Sequence, residues 1–318
     1  MPNLGNLTGG VRILFSAVAP PPKICYTISK RKEVTPMRSD CHMHMILDGY
    51  EWRSAIARHS DSPDLPWIRQ ILAEYQAQGF TYLRDGGDRW GAGKAARGIA
   101  PEFGITYRTP LAPLSKAGHY GAFIGQTWET LSDYAALVRL HRQNGADFIK
   151  IMISGLMNFD HAGVLTEEGL DPIEIKELIH IAHEEGFSVM AHANGARTVE
   201  AAAAAGVDSV EHGAYQDKAS LCAMKENGTV WVPTLSTVGN LRGKGRFDEA
   251  AVAAIWETAA ENVRKFAQMG GLIAPGSDAG AWAVPHDADT EHRLLTDLLG
   301  PNAETILANG TAVIQANF

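Results

Sequence analysis

The sequence predicts an α/β fold, a (β/α)₈ barrel, on three observations. From Arg38 onward short β-rich runs alternate with amphipathic helical stretches, the pattern of βαβ units around a parallel sheet. There are eight such runs, enough to close a sheet on itself. The chain also has 318 residues, 45% of them hydrophobic, which is ample for one large core.

The strand candidates are 39–44, 80–86, 105–111, 148–154, 188–193, 209–213, 229–234 and 272–277. Between them the helices carry their own punctuation. Asp171-Pro172-Ile173-Glu174 predicts a helix start, with Asp171 as N-cap, proline first in the helix and Glu174 reaching back to the cap. Ile175, Leu178, Ile179 and Ala182 recur at helical spacing, and Gly186 stops the run. The stretch 196–205 is nearly all alanine, which predicts a helix packed close against the sheet. Further helices are expected at 66–78, 132–143 and 248–268.

Residues 1–36 read differently. Gly9-Gly10, Pro20-Pro21-Pro22 and the basic patch Lys30-Arg31-Lys32 predict an N-terminal extension, disordered or outside the native fold, ahead of a barrel over 37–318. The apolar run 13–19 is of minimal length for a signal peptide and follows a single basic residue, so export is not expected.

Composition narrows the function. A charged fraction of 20% argues against global disorder. The net charge of −8, without a basic stripe, leaves no electrostatic footprint for nucleic acid or an anionic membrane. Three scattered cysteines do not make a disulfide framework or a cysteine zinc site, and suit a reducing cytoplasm. No apolar run approaches the ~18 residues of a membrane span. The expected partner is a small-molecule substrate, with a homo-oligomer left open.

In a barrel, function sits where strands run out into their following loops. Strand one reads Asp40-Cys41-His42-Met43-His44, and a period of two puts both histidines on one face with Cys41 and Met43 on the other. Strands five, six and eight end in His192, His212 and Asp278. Each alone reads more simply as a hydrogen-bonded histidine or a capping aspartate. Together, four histidines and an aspartate at four strand ends point to a metal centre. Strand four, Phe148-Ile149-Lys150-Ile151-Met152-Ile153-Ser154, is apolar around one lysine. A buried lysine is costly unless paired or neutral. Either Lys150 pairs with an interior carboxylate, or it loses its proton and captures carbon dioxide as a carbamate, an anion able to bridge two metals.

This set resembles the amidohydrolase superfamily in its binuclear form with a carboxylated lysine, and its imidazolonepropionase-like and prolidase-like branch in particular. Asp147-Phe148-Ile149-Lys150-Ile151-Met152, Ala191-His192-Ala193-Asn194-Gly195, Val210-Glu211-His212-Gly213 and Gly276-Ser277-Asp278-Ala279-Gly280 carry the likeness. The resemblance implies two divalent metals, zinc first, with manganese or iron as alternatives. His42, His44 and Asp278 would hold one, His192 and His212 the second, and carboxylated Lys150 would bridge them, with Asp278 as the proton carrier. It implies hydrolysis of a C–N amide, or a related carbonyl–heteroatom bond, in a small dipeptide-like, N-acyl or cyclic amide molecule. His119 is expected at the substrate carbonyl, and Tyr215 in the pocket wall. The alternatives are deamination of a heterocycle, against which Lys150 argues, and a silent barrel serving as an assembly protein, which would need missing ligands.

Two departures stand out. Relatives carry a small β-sandwich built from sequence flanking the barrel, and it is not expected here. The turn after strand four is altered, to Ser154-Gly155-Leu156-Met157. Arg84 is expected to pair internally with Asp85 or Asp88 rather than bind substrate. His180 and His183 read as solvated helix residues, and His286 as a rim residue.

Overall fold

The computed structural model describes residues 38–286 and 289–318; the reading of residues 1–36 lies outside them. Nine strands lie among the described residues: β1 Arg38–Met43, β2 Phe80–Asp85, β3 Thr106–Arg108, β4 Leu114–Lys116, β5 Gln126–Trp128, β6 Ile149–Met152, β7 Val189–Ala193, β8 Ser209–His212 and β9 Val230–Val232. Every named pairing is parallel. They form a three-stranded sheet ordered β1-β2-β3 and a six-stranded sheet ordered β5-β4-β6-β7-β8-β9.

The eighth expected strand, 272–277, is not a continuous ladder. Pro275 lacks an N–H, so the segment pairs in isolated bridges, Ile273 with Trp231 and Ala279 with Met43. It still bonds on both sides. Ala274 N donates to Trp231 O at 3.0 Å, Cys41 N donates to Pro275 O at 2.8 Å, and Asp278 N donates to His42 O at 2.7 Å. This stretch therefore stitches β9 to β1. Gly276 makes the stitch possible, since a side chain there would meet His42 and Val232. The short strands β4 and β5 were not expected; they lie within the connection between expected strands three and four.

The expected helices form at Leu65–Ala77, Leu131–Gln143, Pro172–Glu184, Ala196–Ala204 and Glu249–Gln268. Asp171 caps its helix as predicted, accepting from Ile173 N at 2.8 Å. Glu174 does not reach back to it. Its carboxylate instead takes two bonds from Lys116 Nζ, at 2.8 and 2.9 Å, tying this helix to β4. Ala202 and Ala203 are fully buried, as close helix packing requires. No helix of the described residues is long and apolar enough to cross a membrane.

Cys41, Tyr82, Phe148, Met190, Val230 and Ala274 come from six strand segments and pack as one apolar layer with Ile314 and Phe318 of the C-terminal helical end. Met43 belongs to a different cluster, with Ile68, Ile71 and Leu83. The simple alternation expected for strand one fails at Cys41, because the pairing of β1 with β2 is irregular between Asp40 and Met43.

A candidate metal centre at the strand ends

His42 and His44 leave the C-terminal end of β1, and the interval between them keeps both imidazoles on the same side. Gly86, just past β2, clears the space: a Cβ there would overlap the His44 ring. His42 Nε2 lies 3.4 Å from His44 Nε2 and 3.4 Å from Asp278 Oδ1, and His44 Nε2 lies 3.1 Å from that same oxygen. Metal bonds of ~2.0–2.1 Å in tetrahedral geometry place neighbouring donors roughly 3.3–3.4 Å apart. The three atoms thus match one face of a four-coordinate site. Among the described residues this is the group of three donors fit for a metal ion, and Asp278 Oδ1 is buried there with no hydrogen-bond partner.

His192 and His212 stand beside the triad, their ring centroids 4.6 Å apart, with His212 5.0 Å from His42. Their hydrogen bonds set which nitrogen is left. His192 Nε2 bonds Gly155 O at 3.1 Å, and His212 Nδ1 bonds Thr234 Oγ1 at 2.8 Å. The remaining nitrogen of each ring is the one left to ligate. Burial is the first cause that holds His42 and His212 well below the usual histidine range and His192 down at about 3. All three are therefore neutral at pH 7, the form that binds metal. His212 and Asp278 sit at φ 67° and 57°, as does Thr234 at 48°. The left-handed turn at His212 breaks strand alternation.

Lys150 is 1% exposed, and burial lowers its amine to about 8. The interior carboxylate expected as its partner is committed elsewhere. Glu211 receives His42 Nδ1 at 2.8 Å through Oε2, and Arg84 Nη2 at 2.8 Å and Ser209 Oγ at 2.6 Å through Oε1. Arg84 therefore pairs internally as expected, but with Glu211 across the interior and not with Asp85 or Asp88. Asp88 caps the helix Ala92–Ile99, and Asp85 accepts from Met45 N and Thr109 Oγ1. Glu211 orients a proposed ligand while neutralising a fully buried guanidinium, so Glu211→Gln is expected to act twice. Leaving Arg84 without its counter-charge costs roughly 3–5 kcal/mol, and metal affinity falls about 10–100-fold. Thermal unfolding and metal titration check this; a melting temperature and affinity equal to the parent's would refute it.

Sequence reasoning passed over Glu211 and other supports. Asp40 accepts from His42 N, Ser277 N, Ser277 Oγ and Tyr75, binding the first strand to the last segment; burial raises it to about 6. Glu291 accepts from Leu235 N, Ser236 N and Ser236 Oγ, fixing the turn that carries Thr234.

The six proposed ligands all line one cavity of about 450 Å³. Its other walls are chiefly apolar, among them Tyr120, Phe123, Met152 and Trp282. The two expected substrate contacts are not in its lining. His119 Nδ1 instead contacts the Glu167 carboxylate, while its neighbour Tyr120 lines the cavity with its ring 5.0 Å from His192. Tyr215 packs against the apolar core. His286 is buried, bonded to Leu47 O at 2.9 Å, rather than at the rim. His180 is exposed, and His183 bonds Asp208 on the surface.

No family model matches the chain. Over 228 residues it is 28% identical to ochratoxinase of Aspergillus niger, a match covering 63% of this chain and 47% of that one, about half its length. The crystal structure of that ochratoxinase superposes with a TM-score of 0.70 at 22% identity, covering 86% of this chain and 70% of the other. The chain is thus similar in sequence to an ochratoxinase over part of its length and shares the fold of that enzyme's crystal structure. Two further solved structures share the fold. A prolidase complexed with N-methylphosphonate-L-proline gives a TM-score of 0.70 at 24% identity over 87% of this chain and 74% of that one. An amidohydrolase gives 0.69 at 22% over 87% and 73%. In this fold the six residues lie at or near the ends of parallel strands.

Proposed function

We propose that this chain is a metal-dependent hydrolase that cleaves a C–N amide bond in a small molecule. The observation that carries the reading is the convergence of His42, His44, Asp278, His192, His212 and Lys150 on one cavity, with the first three spaced as a cation requires. The stitched segment 272–279 supports closure of the two sheets into an eight-stranded barrel over 37–318, with the cavity at its C-terminal mouth.

His42, His44 and Asp278 would hold one divalent ion, zinc first by their chemistry. His192 and His212 would hold the second, and Lys150, carboxylated, would bridge the pair. Such ions would supply Lewis acidity, lowering the pKa of a bound water to roughly 7 and polarising a carbonyl. The chain's own residues do the rest. Asp278 accepts the proton of the attacking water and returns it to the departing nitrogen, a poor leaving group until protonated. Tyr120 and the apolar walls exclude bulk water around the acyl carbon. Two of the similar proteins are an ochratoxinase and a prolidase complexed with N-methylphosphonate-L-proline, names that fit this chemistry.

Elemental analysis after gentle purification is expected to find up to two transition metals per chain. Hydrolysis of amides is expected in a screen of dipeptides, N-acyl amino acids, cyclic amides, lactones and aminated heterocycles. Metal near zero that zinc or manganese with bicarbonate fails to restore would overturn the binuclear reading. Ammonia from the heterocycles alone would replace it with deamination.

A further inference from the structure

We infer that the substrate is an uncharged amide bearing a bulky apolar group on each side of the scissile bond, at least one of them aromatic. This rests on the amide-hydrolysis reading above and adds to it the nature of the flanking groups. Eight large apolar side chains stand exposed among the described residues, and four of them, Tyr50, Trp52, Leu156 and Trp282, line this one cavity. Their exposures are 71%, 41%, 37% and 38%. Single exposed apolar residues are ordinary, but a convergent group on a cleft marks a surface that gains by being covered.

The rings form two tracks. In the first, Trp52 meets Phe123 edge-on at 5.5 Å, Phe123 meets Tyr120 at 5.9 Å, and Tyr120 reaches His192 at 5.0 Å. This track runs from the exposed rim to the metal ligands. In the second, Phe159 meets Phe247 at 5.3 Å and Phe247 meets Trp282 at 5.7 Å, with Phe159 and Trp282 facing the cavity. Two apolar tracks accommodate two apolar substituents, each desolvated against rings.

Charge points the same way. Outside the six candidate ligands, the described lining residues carry no ionisable side chain except the tyrosine phenols; Asn194 and Thr237 are its other polar groups. Along these walls, away from the six candidate ligands, a substrate carboxylate or ammonium would lose its hydration without gaining a counter-charge. Arg246 stacks on Trp282 at 3.7 Å but is not part of the lining.

The test compares two amides that differ by one carboxylate: N-(2-phenylethyl)phenylacetamide and N-phenylacetyl-phenylalanine. N-Ethylacetamide lacks both rings. In each hydrolysis water adds its oxygen to the acyl carbon, the C–N bond breaks, and the nitrogen leaves with the proton. With the metal-loaded enzyme, the neutral aromatic amide is expected to exceed both others in kcat/KM by about tenfold or more. Trp52→Ala is expected to raise its KM severalfold with little change in kcat. Binding of the same compounds is followed by quenching of tryptophan fluorescence, which needs no turnover. If no amide is cleaved but the neutral aromatic compound binds most tightly, the flanking-group inference stands and the amide-hydrolysis reading fails. Equal or better use of the carboxylate compound, particularly if Arg246→Ala abolishes that preference, overturns the inference while leaving hydrolysis intact.

Discussion

Asp278→Asn is expected to lower kcat/KM by about 10³-fold, within the ~10²–10⁴-fold span of positioned proton transfer, and to leave a folded protein. The carboxylate stands 3.1 Å from His44 and 3.4 Å from His42, so it serves as donor to a cation and as proton carrier in the proposed reaction. Asparagine keeps the shape, and it tolerates the left-handed backbone at φ 57° better than most residues, so the substitution isolates charge and basicity from strain. Kinetics, metal content and thermal midpoint are measured together. Activity within tenfold of the parent, with metal retained, would remove Asp278 from the proton path.

Lys150→Ala is expected to lose roughly 10²-fold or more in activity and most of the second metal. Burial lowers the amine to about 8, and the interior carboxylate that would otherwise neutralise it is already shared by Arg84, His42 and Ser209. A short carboxylic acid added to the alanine variant fills the same space with an anion and is expected to restore part of both losses. Lys150→Met separates the proposed role from packing, because it removes an amine whose burial costs folding energy. A metal-free Lys150→Met protein is expected to melt above the metal-free parent at pH 7, on a scale of order 3 kcal/mol. The sign follows from the lowered amine: the penalty is full below pH 8 and fades as pH rises toward the unfolded value. Full activity of Lys150→Ala without additive would leave Lys150 a structural residue.

How far the sequence could carry this account depended on the kind of residue. His42, His44, His192, His212 and Asp278 were legible as candidates because ligand chemistry at strand ends repeats with the βαβ unit, and Lys150 because a charge interrupts an apolar strand; the structure brings all six to one cavity. Glu211 was hidden in plain view beside His212. Its meaning lies in Arg84 and His42, more than a hundred residues away in sequence, and no local pattern names such partners. Strand eight was recognised but not its broken ladder, which follows from Pro275 meeting two neighbours at once. His119 and Tyr120 are adjacent; His119 contacts Glu167 while Tyr120 lines the cavity, and no local pattern distinguishes the two. The aromatic rim escaped notice because its members, Trp52 at the start of a short helix and Tyr50, Leu156 and Trp282 in loops, lie far apart in the chain.

The left-handed backbone at His212, Thr234 and Asp278 places selection for activity and selection for robustness in opposition. A non-glycine residue held there costs of order 1–3 kcal/mol, so glycine at these sites would relax the chain. A screen rewarding heat resistance alone would therefore drift toward dismantling the proposed metal centre, while one rewarding turnover would keep the tension. Robustness gained elsewhere, at the helix ends or on the surface, is then the margin that lets the centre stay strained.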